Sequence, residues 1–249
     1  PIRLLQQGRC RPSLAEGVWA WYYPSPGVEP LHSPWPITAA NAGLRWDWQF
    51  IAVGNDNDNG IGIGGEEQVA PNNWCNPTEA EWSVLFFAYC CALGYNPSAL
   101  ALVTAYPAQA ELIQRMLPQR FPQFGRPGFI GTVEAFRVMQ APPIVLVSLV
   151  RTTAPGLLGS LPQMISVLSR ASLGLYIMGH GAMWANCLSL ERLNRQWQSR
   201  PSSLQLLPQE RNGEVPRLIS DSVPASSVVE VSTIAQFREV LDDVLKQKA

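Results

Sequence analysis

The sequence predicts a three-layer α/β domain in which helices flank a mostly parallel sheet. Short apolar runs of strand length, such as 100–105 and 144–149, alternate along the chain with helical stretches. Continuously apolar runs are typical of strands covered on both faces, and strands that alternate with helices form right-handed crossovers into a parallel sheet. The chain has 249 residues, which is enough for one large domain or two small ones.

The elements follow one another in a regular order. Strands are predicted at 3–5, 46–53, 100–105, 129–132, 144–149, 173–179 and 204–207, and helices at 77–93, 107–117, 164–171, 184–197 and 234–246. Asn76, Pro77 and Glu79 form a capping-box pattern before the first helix, and Ser232 or Thr233 caps the last one. Loops are inserted at 12–45 and 54–76. We assign 1–207 to the α/β domain, and 208–249 to a C-terminal extension, loop-rich at first, with a terminal helix.

Composition argues against several classes of function. A net charge of -1 does not favour a general electrostatic grip on nucleic acid. The five cysteines form no CxxC pair, which is typical of reduced, packed thiols. His32 and His180 are far apart, so zinc chemistry has no support. The sequence has no signal peptide, no apolar stretch near the ~20 residues of a membrane span, and no GxSxG or HExxH motif. We therefore expect neither a membrane partner nor a self-contained hydrolase.

Two short patterns match known motifs only formally. The stretch GIGIGG at 60–65 satisfies GxGxxG, but the acidic, proline-containing EEQVAPNN follows where a dinucleotide site needs a helix. A flexible loop is the favoured interpretation. Asp56, Asp58 and Glu67 resemble a calcium loop, but its turn glycine is misplaced, so no metal site is predicted.

Three other stretches, taken in their order along the chain, indicate a ligand site at one edge of the sheet. Arg9, in the stretch QQGRCRP, comes just after the first predicted strand. Thr104, Tyr106 and Gln109 lie at a strand-to-helix turn with the sequence VTAYPAQ. Arg170 precedes another strand in the stretch VLSRASLGLYIMG. Ligands of parallel sheets bind at the carboxyl ends of the strands. An arginine at that edge can neutralise charge on a transferred γ-phosphoryl group. We therefore expect Arg9 and Arg170 at this edge.

Together these stretches resemble the second RecA-like lobe of superfamily 1 RNA helicases, which belong to the P-loop NTPase superfamily. The matching positions are Gln7, Arg9 and Pro12; Thr104, Tyr106 and Gln109; Thr132, Val133, Glu134 and Phe136; 148–152; and 169–171. The stretches NPTEAEWSVLFFAYCCALGY and CLSLERLNRQW resemble the intron-binding, spliceosomal members of the family, and the likeness covers nearly the whole chain.

The resemblance implies roles for these residues. Arg9 and Arg170 would be catalytic groups that reach the γ-phosphate of ATP, and Gln7 and Arg137 would join them in binding ATP. Thr104, Tyr106, Gln109 and Thr132 would face single-stranded intron RNA. The phosphate-binding loop and the magnesium-binding acids belong to the first lobe of the family. ATP and Mg²⁺ would therefore bind only together with that lobe, and this chain alone should be inactive.

The resemblance also implies partners: the first lobe, intron RNA and spliceosomal proteins, in the nucleus. The chain begins at Pro1 in mid-pattern, without methionine, so we expect it to be a piece of a larger protein.

Departures from the family pattern leave two functions open. Arg137 and Val138 stand where the family has glutamine and glycine, and Pro162 and Gln163 replace two arginines. Weakened ATP hydrolysis is one expectation, with Arg137 partly replacing lost cations. The alternative is a catalytically dead lobe that serves as a docking scaffold for spliceosomal proteins. Its proposed anchors are Trp19, Trp21, Trp35, Trp46 and Trp48, which equally fit a small satellite core.

Overall fold

A computed structural model of the protein describes residues 9–15, 39–54, 65–136 and 142–247. These residues contain nine strands: β1 (Trp48–Ala52), β2 (Glu67–Ala70), β3 (Asn73–Cys75), β4 (Leu100–Thr104), β5 (Phe129–Thr132), β6 (Ile144–Ser148), β7 (Gly174–Gly179), β8 (Leu204–Leu206) and β9 (Val229–Val231). They also contain eight α-helices: α1 (Pro12–Leu14), α2 (Pro77–Ala92), α3 (Pro107–Arg120), α4 (Val133–Phe136), α5 (Leu161–Leu168), α6 (Gly181–Ala185), α7 (Glu191–Trp197) and α8 (Ile234–Lys246).

The central sheet has five strands in the order β1-β7-β6-β4-β5, and every neighbouring pair is parallel. Its strands match the predicted apolar runs to within two residues at each end. The predicted strand at 3–5 lies outside the described residues. Successive strand residues point to opposite faces, so Leu102 belongs to one core cluster and its neighbour Val103 to the other. Helices α2, α3 and α8 cover the first face, and α5 and α7 cover the second. The predicted three-layer α/β fold is confirmed.

Helix α2 is buried on all sides except at Pro77. It lies between the sheet, where Phe86 packs on Tyr176 at 4.9 Å, and α8, where Trp82 packs on Phe237 at 5.3 Å. An all-round apolar surface is typical of a helix in the middle of a core. Helix α8 begins at a complete capping box formed by Thr233 and Gln236, and its predicted bounds are confirmed.

Three local predictions differ from the structure. The segment after residue 54 was expected to be loop, but it contains the antiparallel hairpin β2–β3, whose first strand is fully exposed and so carries no apolar alternation. One helix was predicted at 184–197, yet α6 and α7 are separate. The Asn194 side chain donates to the carbonyls of Ala185 and Cys187, which stabilises the break. Helix α5 begins and ends three residues earlier than the predicted 164–171.

The C-terminal segment adds to the core of the sheet domain. Strand β8 pairs with β9, and Val231 and Phe237 join the core cluster that contains α2. In the described part of the chain, no helix is both long enough and apolar enough to cross a membrane.

Candidate functional site

The carboxyl end of β6 carries an unusual backbone conformation. Val150 has a φ of 70°, in the left-handed region that a β-branched residue rarely adopts. Its N–H donates to Glu79 Oε2 at 2.8 Å, and its carbonyl accepts from Asn76 Nδ2 at 3.0 Å. Such a conformation costs about 1–3 kcal/mol and persists only where its surroundings enforce it. Here α2 enforces it from both sides of the residue.

Glu79, which holds Val150, is fully buried. Its Oε2 also accepts from Ser148 Oγ at 2.6 Å, whereas Oε1 has no hydrogen-bond partner among the described residues. Burial raises the pKa of Glu79 to about 7, because desolvation outweighs the bonds from Ser148 and Val150, which favour the charged form. The predicted capping box is therefore only half right. Asn76 caps the Glu79 N–H, but the Glu79 carboxylate turns inward to the sheet.

Gln109 completes the same buried network. Its Oε1 accepts from the Asn76 N–H at 2.8 Å, and its Nε2 donates to Ser148 Oγ at 3.0 Å and to the Asn76 carbonyl at 3.2 Å. The side chain is completely buried. Gln109 thus ties α2, α3 and β6 together, and these bonds use both of its amide hydrogens. Its contact with RNA stays a prediction, and this burial argues against it.

Directly after Val150, the chain is held by a second carboxylate. Glu66 Oε2 accepts from Arg151 Nε at 2.9 Å and from the Thr152 N–H at 2.6 Å, and Thr153 also donates to Glu66. The Arg151 guanidinium lies 4.0 Å from the ring centre of Trp74 on β3. Desolvation acts to raise the pKa of Glu66, but the bonds from Arg151, Thr153 and Thr152 outweigh it and lower the pKa to about 2.

The remaining residues predicted to face RNA lie at this same edge. Thr104 and Thr132 are register partners at the ends of β4 and β5. The Thr104 hydroxyl is buried and accepts from the Tyr106 N–H at 3.5 Å, while Thr132, which is half-buried, accepts from the Ala135 N–H at 3.5 Å. Tyr106 is also buried and hydrogen-bonds to Arg151. Three of the predicted residues therefore join Val150 and Arg151 at one edge, and their contact with RNA stays a prediction.

The two predicted catalytic arginines are brought together, but at the other edge. Arg9 Nη1 donates to the carbonyl of Ser169 at 3.0 Å, and Ser169 directly precedes Arg170. Arg170 Nε donates to the Ser166 carbonyl at 3.2 Å. Because Arg170 precedes β7, its backbone lies at the amino ends of the strands, so the expected placement at the carboxyl edge is wrong. Gln7 and Arg137, predicted to bind ATP, lie outside the described residues.

The described residues contain no cluster of three or more His, Cys, Asp or Glu side chains that could hold a metal ion. Sequence reasoning missed Glu66, Trp74 and Val150 as members of the carboxyl-edge site. Glu66 and Trp74 are distant from Arg151 in sequence and meet it only through the β2–β3 hairpin. No local pattern marks the left-handed Val150.

A five-stranded parallel sheet with helices on both faces and a polar, strained carboxyl edge defines a RecA-like α/β domain of the P-loop NTPase superfamily. The family model described as an AAA domain matches residues 49–182, more than half of the chain. The chain belongs to this family.

Curated relatives give a finer comparison. The chain is 36% identical to the RNA helicase aquarius of Mus musculus over 225 residues, which cover 86% of this chain and 15% of that protein. It is 26% identical over 171 residues to the pre-mRNA-splicing factor cwf11 of Schizosaccharomyces pombe, covering 67% of this chain and 13% of that protein. The chain is also 33% identical over 113 residues to a third protein, the helicase required for RNAi-mediated heterochromatin assembly 1 of the same yeast. This match covers 44% of this chain and 11% of that protein.

The predicted resemblance to spliceosomal superfamily 1 RNA helicases is confirmed, and the RNA helicase aquarius is a particular protein that the chain resembles. The chain spans less than one sixth of the length of each of these three relatives.

Proposed function

We propose that this chain is the second RecA-like lobe of a superfamily 1 RNA helicase that acts in pre-mRNA splicing in the nucleus. The observation that carries the proposal is the similarity to the RNA helicase aquarius, which extends over 86% of the chain. The splicing factor cwf11 is similar over 67% of the chain and supports the same process. The first lobe and spliceosomal proteins are the proposed partners.

The proposed ATP-binding surface is formed by the loops that hold Arg9 and Arg170. The bond from Arg9 to the Ser169 carbonyl keeps the two arginine-bearing segments adjacent, and a local bond from Arg170 to the Ser166 carbonyl orients its guanidinium. Two adjacent cations fit a polyanionic triphosphate, and planar guanidiniums are well suited to phosphate. ATP supplies the reactive phosphoryl group and Mg²⁺ neutralises its charge, both held mainly by the first lobe. Arg9 and Arg170 would bind the γ-phosphate from this side, with Gln7 and Arg137.

The proposed RNA-binding surface is the opposite, carboxyl edge of the sheet. Thr132 is half-buried there beside the exposed Glu134 and Ala135, and Arg151 is fixed nearby by Glu66 and Trp74. Thr104, Tyr106 and Gln109 lie beneath this surface and would support it. Their networks hold the backbone that faces single-stranded intron RNA.

The second candidate is a catalytically dead lobe that docks other proteins. The exposed Leu157 and Leu188 favour it, since large apolar side chains at a surface mark contact sites. The tryptophans favour it less. Trp48 is buried, and Arg200 lies over Trp46 and Trp48 at 4.7 Å and 3.9 Å, which makes these two part of a satellite core. Trp19, Trp21 and Trp35 lie outside the described residues.

RNA-stimulated ATPase activity of the full-length protein distinguishes the two candidates. We expect measurable stimulation in the wild type, and Arg9→Ala or Arg170→Ala should each lower kcat by about 10²-fold or more, the scale of a transition-state charge donor. Arg195→Ala is the matched control, because among the described residues the exposed Arg195 pairs with Glu191 of its own helix and with no residue of either proposed surface. Absence of stimulation would support the scaffold. Activity that survives both arginine substitutions would refute their catalytic roles.

A further inference from the structure

A pocket lies beyond the carboxyl ends of β1 and β7, apart from both the arginine loops and the Glu79 network. Its volume is about 560 Å³, within the roughly 300–1,000 Å³ of small-ligand sites. Ala52 from β1, His180 and Gly181 after β7, and Asn194 and Trp197 from α7 contribute to its wall. None of these residues takes part in the ATP-binding or RNA-binding surfaces described above.

One side of the pocket is an aromatic pair. The rings of Phe50 and Trp197 stack with their centres 4.6 Å apart and their planes 16° from parallel. Both residues contribute to the pocket wall. A rigid, flat aromatic wall favours a planar ligand, because stacking rewards a parallel ring.

Two buried polar atoms of this wall have no hydrogen-bond partner among the described residues. They are Asn194 Oδ1, an acceptor, and Trp197 Nε1, a donor. Asn194 Nδ2 already donates to the carbonyls of Ala185 and Cys187, so the amide oxygen is turned away from them. The residues are three apart on α7 and therefore share one face of the helix. Buried polar atoms are normally hydrogen-bonded. Each of these two has less than 1 Å² of accessible surface, so a ligand edge with one donor and one acceptor would satisfy both once the side chains of the wall move slightly apart.

The charges of the pocket wall are compatible with an anionic ligand. Among the described lining residues, Arg200 is the one formally charged side chain and none is a carboxylate. Its guanidinium is fixed by Asp47 at 3.2 Å and by the Trp48 carbonyl. His180 Nδ1 accepts from the Met183 N–H at 3.2 Å, so the neutral imidazole carries its proton on Nε2 as a further donor.

We propose that this pocket binds one nucleobase of single-stranded RNA, with Asn194 and Trp197 contacting the base edge and Arg200 near the backbone phosphate. Every base offers a flat face and an edge that combines donors and acceptors. The inference rests on the proposed RNA-binding function and extends it by naming a base-binding position. An added peptide strand is disfavoured, because the outer edge of β1 is already covered by the Ala52 N–H bond to Ser202 and the Gln49 bonds to Pro201 and Ser203.

The test is the affinity of the full-length protein for a fluorescein-labelled 12-nucleotide single-stranded RNA, measured by anisotropy at fixed salt. Trp197→Phe removes the N–H while keeping an aromatic ring. Asn194→Leu removes the acceptor together with the two amide bonds to Ala185 and Cys187, so its free energy of unfolding is measured alongside. Each should weaken binding about tenfold, as expected for one hydrogen bond in a desolvated site. Ala185→Trp fills the pocket from an exposed position and should weaken binding at least as much without disturbing the core.

Trp184→Phe is the matched control. Trp184 is likewise buried, and its Nε1 has no hydrogen-bond partner in the described part of the chain. It is not among the described wall residues, so RNA affinity should not change. Unchanged RNA affinity in Asn194→Leu, Trp197→Phe and Ala185→Trp would overturn the inference. It would also be overturned if these variants lost affinity only for a protein partner, or only for free uridine monophosphate, and kept their affinity for the RNA. If the wild type binds no RNA, the proposed function itself fails, which is a distinguishable result.

Discussion

Glu79→Gln tests the buried carboxyl that holds Val150. Glutamine has nearly the same shape, and its oxygen can accept from both Ser148 Oγ and the Val150 N–H, as Glu79 Oε2 does now. The substitution removes only the ability to ionise. The new amide nitrogen would take the place of Oε1, which has no partner among the described residues.

The magnitude follows from the pKa. A rise from 4.5 to about 7, at about 1.4 kcal/mol for each tenfold change in proton affinity, amounts to about 3 kcal/mol. The folded state binds the proton more tightly than the unfolded state, so the free energy of unfolding should fall as pH rises from 4.5 to 7 and level off above. In Glu79→Gln this part of the decline should be absent.

The assay is urea denaturation of this chain at pH 5, 6, 7 and 8, with wild type and variant compared at each pH. Around pH 8, removal of the charge stabilises the variant, while its unpaired amide costs about 1–3 kcal/mol. The diagnostic quantity is therefore the slope and not the absolute stability. Glu134→Gln, which alters an exposed carboxyl, should keep the wild-type slope. If wild type and Glu79→Gln show the same slope, the assignment of a raised pKa to Glu79 is wrong.

Two further predictions concern the same edge of the sheet. Arg151→Ala should lower the free energy of unfolding by about 2 kcal/mol at pH 7. This value lies between about 1 kcal/mol for an exposed ion pair and about 3 kcal/mol for a fully buried one, because the pair with Glu66 lies at the rim of the core. That loss, measured by urea denaturation, should shrink as pH falls from 4.5 towards the Glu66 pKa of about 2. The reason is that the ion pair stabilises only the charged carboxylate, which is why the pKa is lowered. A loss independent of pH would contradict the pairing. Gly156→Ala should lower the melting temperature more than Gly54→Ala. Both glycines have positive φ, but a Cβ at Gly156 would collide with the Tyr106 hydroxyl, whereas one at Gly54 meets nothing within 4 Å. Equal effects would show that the close approach of Tyr106 is unimportant.

The sequence predicted elements well where local signals decide them. Apolar runs marked all five described strands of the central sheet, and Pro77 and Pro107 marked the starts of α2 and α3. Ser232 or Thr233 marked the start of α8, and the structure has Thr233 as its cap. Each of these signals depends on only a few neighbouring residues, so the elements can be predicted without knowledge of the tertiary structure.

The site was predicted less well, because distant partners determine it. Glu79 fits a capping box locally, but Ser148 and Val150, 69 and 71 residues away, draw its carboxylate into the sheet. Arg170 was assigned to the carboxyl edge although it precedes its strand, and the order of loop and strand places it at the amino edge. Glu66 and Trp74 meet Arg151 only through a hairpin with no apolar alternation.

The position of α2 between the sheet and α8 has a consequence for biosynthesis. Arg238 of α8 reaches Glu81 of α2 across 157 residues of chain. At roughly 5–20 residues per second, a ribosome needs about 8–30 s to make that length. During this interval the face of α2 that carries Trp82 and Tyr89 is not yet buried by α8. Newly made chains should therefore require chaperone protection until α8 emerges.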